Sequence, residues 1–372
     1  MKICLFVNGP SQSIPGIRAK GLTKHLDGKR HAVEIMYRDG RRLTSLIRFF
    51  NHARKGRPDV IYAVDMGYSG AIAGCLAKLF YGAKFVVDTG DLIYELFKAS
   101  GEAGFIKCRI AKIVESTALK TADSIVVRGS FHKEHLESQG FENIFHIPDG
   151  VDVDIHSPKS ANIGAMRQRL GINGDFTIGV LGSLCWNKRF NMCYGWDLMN
   201  ALQFLRDLPV KGVIIGDGNG LPKLKKMAQE LEVSDRVIFT GWLSYSEISH
   251  YLPLLDICLS TQTDNLVGQV RTTAKLPVYL SFGKYVIATN VGDAKQILPG
   301  VGMLLPYRGI KDENYPRLLA EKIRWLFENR DELEKAEKGI RIAEERFEYK
   351  VLAKRLDEIL NRFSGDVYRG VV

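Results

Sequence analysis

The residues able to do chemistry in this sequence lie in glycine-bearing stretches that follow short apolar runs. Asn8 to Arg18 reads N-G-P-S-Q-S-I-P-G-I-R. Gly16 lets a ligand approach the backbone where a helix begins, and Arg18 adds a guanidinium fork, so an anion such as a diphosphate fits there. A solvated strand-to-helix turn explains the same composition equally well. Gly216-Asp217-Gly218-Asn219-Gly220 comes nearer to a dinucleotide fingerprint but lacks its third glycine in register. It reads as a tight turn opening a helix, with ligand contact at Gly218 as the alternative. His132, His135, His146, His156 and His250 show neither metal spacing nor a paired carboxylate, so no metal centre and no histidine base is expected. The six cysteines are scattered without a C-x-x-C pair and read as reduced core residues.

Loops of this kind need a frame to hold them. The chain has 372 residues, 45% hydrophobic and 25% charged, which excludes collagen-like and disordered classes and suggests two or three domains. Short β-branched runs alternate with helix-period segments throughout, and that alternation makes the fold class α/β, with parallel sheets covered by helices. Strands are expected at 3–7, 32–36, 60–63, 85–88, 124–127 and 144–147, then in a second series at 177–181, 212–215, 237–239, 257–259 and 286–289. Helices are expected at 17–26, 43–54, 68–80 and 105–119, and three more (315–327, 331–345 and 349–363) close the chain. The reading is a domain over 1–160, a second over 161–345, and a last helix within 346–372 that returns to the first. In such sheets ligands sit beyond the carboxyl ends of the strands. No secretory leader and no apolar run near the ~18 residues of a membrane span is seen, so a cytoplasmic protein, soluble or peripheral at the inner membrane surface, is expected.

The formal charge of +10 needs a location. Between Arg38 and Arg57 there are seven basic residues and one acid, Asp39. Leu43, Leu46, Ile47, Phe49 and Phe50 form an apolar stripe at helical spacing among those cations. That is the pattern of an interfacial helix beside anionic lipid, and equally that of a core-facing helix with a basic edge. No nucleic-acid module accompanies the charge, so nucleic acid is not an expected partner.

Six segments in order then carry a resemblance. Ile147-Pro148-Asp149-Gly150-Val151-Asp152 with Pro158, Gly182-Ser183-Leu184 with Lys188, Gly216-Asp217-Gly218, Val237 to Gly241, Asp256, and Gly283 to Thr289 with Val291-Gly292 are similar to the retaining nucleotide-sugar glycosyltransferases of family four. The resemblance spans nearly the whole chain. It implies the GT-B fold of two facing doubly wound Rossmann-like domains. It also implies transfer of a sugar from a UDP- or GDP-sugar donor to a glycan or lipid-linked acceptor, with retention and without a metal cofactor.

Carried over residue by residue, the resemblance makes Lys188 the cation for the donor diphosphate, a leaving group these enzymes neutralise with protein charge. Gly182 and Ser183 line the same loop, but Ser183 stands where the family usually has an arginine. The positions of the family's paired glutamates hold Val270 and Val278, which accept no hydrogen bond. An inserted loop makes Asp264 the stand-in for the sugar-binding glutamate. Thr272 and Thr273 either offer N–H groups to the β-phosphate or simply cap the next helix. The backbone near Leu243 matches the base-recognition loop. Asp91 is retained after the fourth strand as a sugar or acceptor contact, while the histidine common at the place of Gly90 is missing; Asp65 and Tyr68 are weaker acceptor-side candidates. Departures at Ser183, Gly90 and the glutamate pair leave a second reading open, a catalytically degenerate nucleotide-sugar-binding partner subunit.

Overall fold

The computed structural model describes residues 1–156 and 163–367. The expected boundary at 160 and 161 lies outside the described residues. The chain forms two compact units: Met1–Val151 with Val270–Thr272 and Arg346–Val372, and Asp152–Gln269 with Thr273–Glu345.

Six parallel strands make the first sheet: β1 (Lys2–Val7), β2 (Ala32–Tyr37), β3 (Val60–Val64), β4 (Lys84–Thr89), β5 (Ser124–Val127) and β6 (Ile144–His146), in the order β2-β1-β3-β4-β5-β6. Burial on both faces explains the unbroken apolar runs; every residue of β3 is buried. Around it lie α1 (Ile14–Lys24), α2 (Arg42–Gly56), α3 (Tyr68–Tyr81), α4 (Ile93–Ser100), α5 (Phe105–Thr121) and α6 (Ser130–Ser138).

The second sheet contains β7 (Phe176–Leu181), β8 (Val210–Ile215), β9 (Val237–Gly241), β10 (Ile257–Ser260), β11 (Tyr285–Thr289) and β12 (Gly302–Leu305), in the order β12-β11-β10-β7-β8-β9 and again all parallel. Its helices are α7 (Ile163–Arg169), α8 (Trp196–Leu202), α9 (Leu221–Glu230), α10 (Tyr245–Tyr251), α11 (Leu266–Val270), α12 (Lys275–Ser281), α13 (Ala294–Ile297), α14 (Tyr315–Glu328) and α15 (Lys338–Arg346). Strand β12 was not anticipated. It is a four-residue edge strand opened by Gly302 and paired only with β11, too short to show a period.

The last helix, α16 (Tyr349–Val367), packs on α1 within the first unit. The Tyr349 ring lies where side chains on Gly21 and Gly150 would otherwise project, 2.5 Å from either ideal Cβ. Asp357 accepts from His31 at 2.8 Å and Arg30 at 3.1 Å. Leu352, Leu356, Ile359 and Leu360 join the core formed with Ile3, Leu5 and Val7. The α/β class and paired parallel sheets expected from sequence are thus present.

Chain order places the crevices. The connection reverses direction between β1 and β3 in the first sheet and between β7 and β10 in the second, and open parallel sheets bind ligands at such reversals.

Candidate functional site

In the second unit, the loops after β7, β8 and β9 are laced together at the carboxyl edge. Gly182 N–H donates to the Ile215 carbonyl at 3.0 Å, Leu184 N–H to Asp217 at 2.9 Å, Gly220 N–H to Leu184 at 2.8 Å, and Gly216 N–H to Gly241 at 3.1 Å. Gly216 and Gly218 have φ of 147° and 151°, and a Cβ on them would meet the Gly182 and Leu184 carbonyls at 1.9 and 2.5 Å. Packing between two loops therefore accounts for these glycines, as the tight-turn reading expected.

Asn219 carries that lacing outward by accepting the Trp186 N–H at 2.8 Å. A short hairpin follows, in which Asn187 and Met192 pair antiparallel and Asn187 Oδ1 accepts the Phe190 N–H at 3.1 Å. Lys188 is exposed within this hairpin, so its cation is presented on a loop anchored at both ends. Ser183 is exposed beside it, with Oγ 3.2 Å from Cys185 Sγ.

At the reversal between β7 and β10 lies a residue that sequence reasoning missed. Lys275 is only 8% exposed, and its Nζ sits 3.5 Å from the centroid of the Tyr194 ring. A Cβ on Gly182 would lie 3.3 Å from the same nitrogen, so the glycine leaves room for the ammonium. The available signal was a lone charge opening Lys275–Ser281, a helix buried at every position. Val270 and Val278 are buried apolar residues.

The threonines differ from their expected capping role. Helix α12 starts at Lys275 with Ala274 as its cap residue and no side-chain cap bond. Thr273 instead lies 3.3 Å from Ser260 through its hydroxyl and accepts the Leu276 N–H on its carbonyl at 3.1 Å, while Thr272 is buried. Asp264 is exposed between β10 and α11; its N–H donates to Gly309 at 2.7 Å and its Oδ1 accepts from Gln269 at 2.9 Å. Leu243 is half-buried ahead of α10, whose Ser244–Glu247 capping box holds the loop in place.

The first unit corrects two expectations. Helix α1 begins at Ile14, so Gly16 and Arg18 lie inside its first turns and not in the preceding loop. The Gly16 N–H donates to Ser13 Oγ at 3.3 Å, and a Cβ there would strike the Pro10 carbonyl at 2.5 Å, so the close approach is to the chain's own loop. Arg18 is fully buried and is not a diphosphate ligand. Its Nε donates to Asp88 at 2.8 Å, Nη1 to the Pro148 carbonyl at 2.6 Å and to Asp149 at 3.4 Å, and Nη2 to the Ile147 carbonyl at 2.8 Å. Tyr62 donates to the same Asp88 oxygen at 2.7 Å. Burial pushes the Asp88 carboxyl upward, but Arg18 and Arg128 outweigh it and hold the group below its ordinary value.

Arg128 also explains the missing histidine. A Cβ on Gly90 would lie 2.9 Å from Arg128 Cδ, so the arginine stem runs past the position where the resemblance places a histidine. Its guanidinium pairs with Asp65 and lies 3.3 Å from Asp88. Asp91 accepts from Arg271 Nε at 2.6 Å; burial raises its carboxyl and the Arg271 charge more than reverses that. His132 is fully buried, has no hydrogen-bond partner on either ring nitrogen among the described residues, and is pushed down to about 4 by burial, which makes it a neutral core residue.

Two six-stranded parallel sheets, the second with interlaced loops at its carboxyl edge, match the GT-B class of glycosyltransferase fold. The UDP-glucose complex of Anabaena Alr3699/HepE superposes with a TM-score of 0.77 at 18% identity, covering 97% of this chain and 100% of that one. Sucrose-phosphate synthase from Thermosynechococcus elongatus gives 0.78 at 14% identity over 98% and 100%. More particularly, residues 175–329 match the family model described as Glycosyl transferases group 1, a segment that runs from the start of β7 through α14. An alpha-monoglucosyldiacylglycerol synthase of Streptococcus pneumoniae is 33% identical over 127 residues, 33% of this chain and 28% of that protein. A 2-deoxystreptamine glucosyltransferase of Streptomyces kanamyceticus is 27% identical over 231 residues, 59% and 56% respectively. The chain thus matches about half or less of these relatives' own lengths.

Two outcomes follow from the buried charges. Asp88→Ala leaves Arg18 buried with only the more distant Asp149 carboxylate, and the expected loss is about 3–5 kcal/mol, read from the denaturant midpoint. Asp197, in the first turn of α8, is 4% exposed, and burial pushes its carboxyl from 3.8 to about 7. The folded protein keeps a proton that the unfolded chain releases near 3.8, so stability falls as pH rises from there to about 7 and then levels. Relative to Asp197→Asn, denaturation at a series of pH values should show this slope, at most roughly 1.4 kcal/mol per pH unit.

Proposed function

We propose that the protein moves a sugar from a UDP- or GDP-sugar to a lipid-linked or polysaccharide acceptor, with retention at the anomeric carbon and without a metal cofactor. The observation that carries the reading is the glycosyl transferases group 1 match over residues 175–329, the segment containing the laced loops and Lys188. When the bond from the sugar to the diphosphate breaks, negative charge grows on the phosphate oxygen. Fixed cations at that point stabilise the transition state more than the ground state. Lys188 on its anchored hairpin supplies one such cation, and Lys275 beneath Gly182 is positioned to supply a second. Asp264 serves as the sugar-side carboxylate and the backbone around Leu243 meets the base.

The Anabaena neighbour was solved with UDP-glucose, which supports a nucleotide-sugar donor here. Names among the relatives support a lipid acceptor: the pneumococcal protein is a diacylglycerol glucolipid synthase, and a Mycolicibacterium smegmatis protein, 31% identical over 114 residues, is a phosphatidylinositol monomannoside mannosyltransferase. The basic helix α2 supports a place at the anionic inner surface of a membrane. Among the described residues no helix is long and apolar enough to cross one.

A second reading, a partner subunit that binds nucleotide-sugar without turnover, is favoured by Ser183, Gly90, Val270 and Val278 standing in place of the usual polar groups. Nucleotide release from UDP- and GDP-sugars, with and without membrane extract, separates the two. Acceptor-dependent release supports transfer, and binding without release supports the partner subunit. In the active case Lys188→Ala lowers turnover at least roughly tenfold, and an unchanged rate removes Lys188 from the mechanism.

A further inference from the structure

Helix α2 packs on α3, and α3 on α5. Where they meet, a cavity of about 760 Å³ opens, its wall formed by Leu43, Ile72, Phe105 and Ile106 together with the cations Arg42 and Lys107. That volume is in the range of roughly 300–1,000 Å³ used by small-molecule sites. Four of its large apolar side chains are turned to solvent: Phe105 is 76% exposed, Ile106 74%, Leu43 67% and Ile110 49%. Leu79 and Phe80 on α3 and Ile113 on α5 extend the exposed apolar surface along the same helices. Lone exposed apolar residues need no explanation, but a run of them around a cavity does.

Charge distinguishes what covers this face. Helices α2, α3 and α5 carry nine lysines and arginines and one carboxylate, Glu115. Glu115 is buried and accepts the Ile93 and Tyr94 N–H groups at 2.6 and 3.1 Å, so it offers no negative charge to a partner. A second copy of the chain docked here would bring two such cationic faces together, which is repulsive. The core side of α2 is separately occupied: Phe49 is fully buried and stacks on Phe6 at 4.7 Å. The outward apolar residues are therefore additional to the ones that hold the helix.

We propose that α2, α3 and α5 form a docking surface for an anionic bilayer, with a hydrocarbon chain of a membrane lipid entering the cavity and the surrounding cations meeting its headgroups. The inference deepens the membrane-surface part of the proposed function. Its test uses neither donor nor acceptor, so failure of sugar transfer leaves it standing.

The full chain is sedimented with vesicles of phosphatidylcholine alone and of an equal mixture of phosphatidylcholine and phosphatidylglycerol. Binding should be at least about tenfold stronger to the mixed vesicles and weaken in raised salt. The paired variant Phe105→Ser with Ile106→Ser, at exposed positions that leave the fold intact by circular dichroism, should weaken it about tenfold or more. Lys107→Gln with Lys112→Gln should weaken it roughly fivefold per lost cation. Fluorescence of an Ile106→Trp variant, above the background of the native tryptophans, should be quenched by acyl-brominated lipid in the mixed vesicles. Equal binding to neutral vesicles overturns the anionic surface. Unchanged binding of the Phe105 and Ile106 variant, or absence of quenching, overturns chain entry. Failure to bind either vesicle, including a case in which the face captures an acidic protein instead, overturns the proposal.

Discussion

The guanidinium of Arg18 is the interaction on which the first unit depends. It is fully buried and reaches from α1 to Asp88 at the end of β4 and to the backbone carbonyls of Ile147 and Pro148 after β6. Asp88 in turn takes the Tyr62 hydroxyl from β3 and lies against Arg128 from the turn after β5. Four strands thus end on one charge cluster. A buried cation is tolerable only when its partners are close and its hydrogen bonds are satisfied, and here they are. The same cluster determines the loops above it: Arg128 can run past Gly90 only because that residue has no side chain, and its other end holds Asp65.

The second unit solves the corresponding problem with backbone rather than charge. Carbonyls of Gly182 and Leu184 press against Gly216 and Gly218 so closely that any side chain there would overlap them. Asn219 extends the resulting platform to the hairpin that displays Lys188. Beneath it, Lys275 lies against the Tyr194 face, an arrangement that keeps a cation in a largely buried place. Positive charge therefore reaches the carboxyl edge from two directions, an exposed hairpin and a buried helix start. A diphosphate leaving group calls for charge held in place before the reaction rather than gathered during it.

Excess positive charge on the first unit has a different form. On α2, α3 and α5 it is interleaved with exposed leucine, isoleucine and phenylalanine and is not balanced by surface acids on those helices. The apolar stripe on α2 divides, with Phe49 in the core and Leu43 and Ile47 exposed.

Periodicity and composition were enough to determine the α/β class and eleven of the strands to within a residue or two, because parallel strands buried on both faces leave long apolar runs between turn residues. The tight turn at Gly216 to Gly220 was legible in sequence, since it is a local feature. Tertiary structure alone decided which charges are buried and which are exposed. Arg18 and Lys188 look alike as cations near glycines, yet one is closed in by Asp88 and Asp149 from distant strands and the other is exposed. Lys275 opens a buried helix, and only the fold brings Tyr194 and Gly182 to it. Burial and ion pairing join residues far apart in the chain, and no local pattern records such pairings.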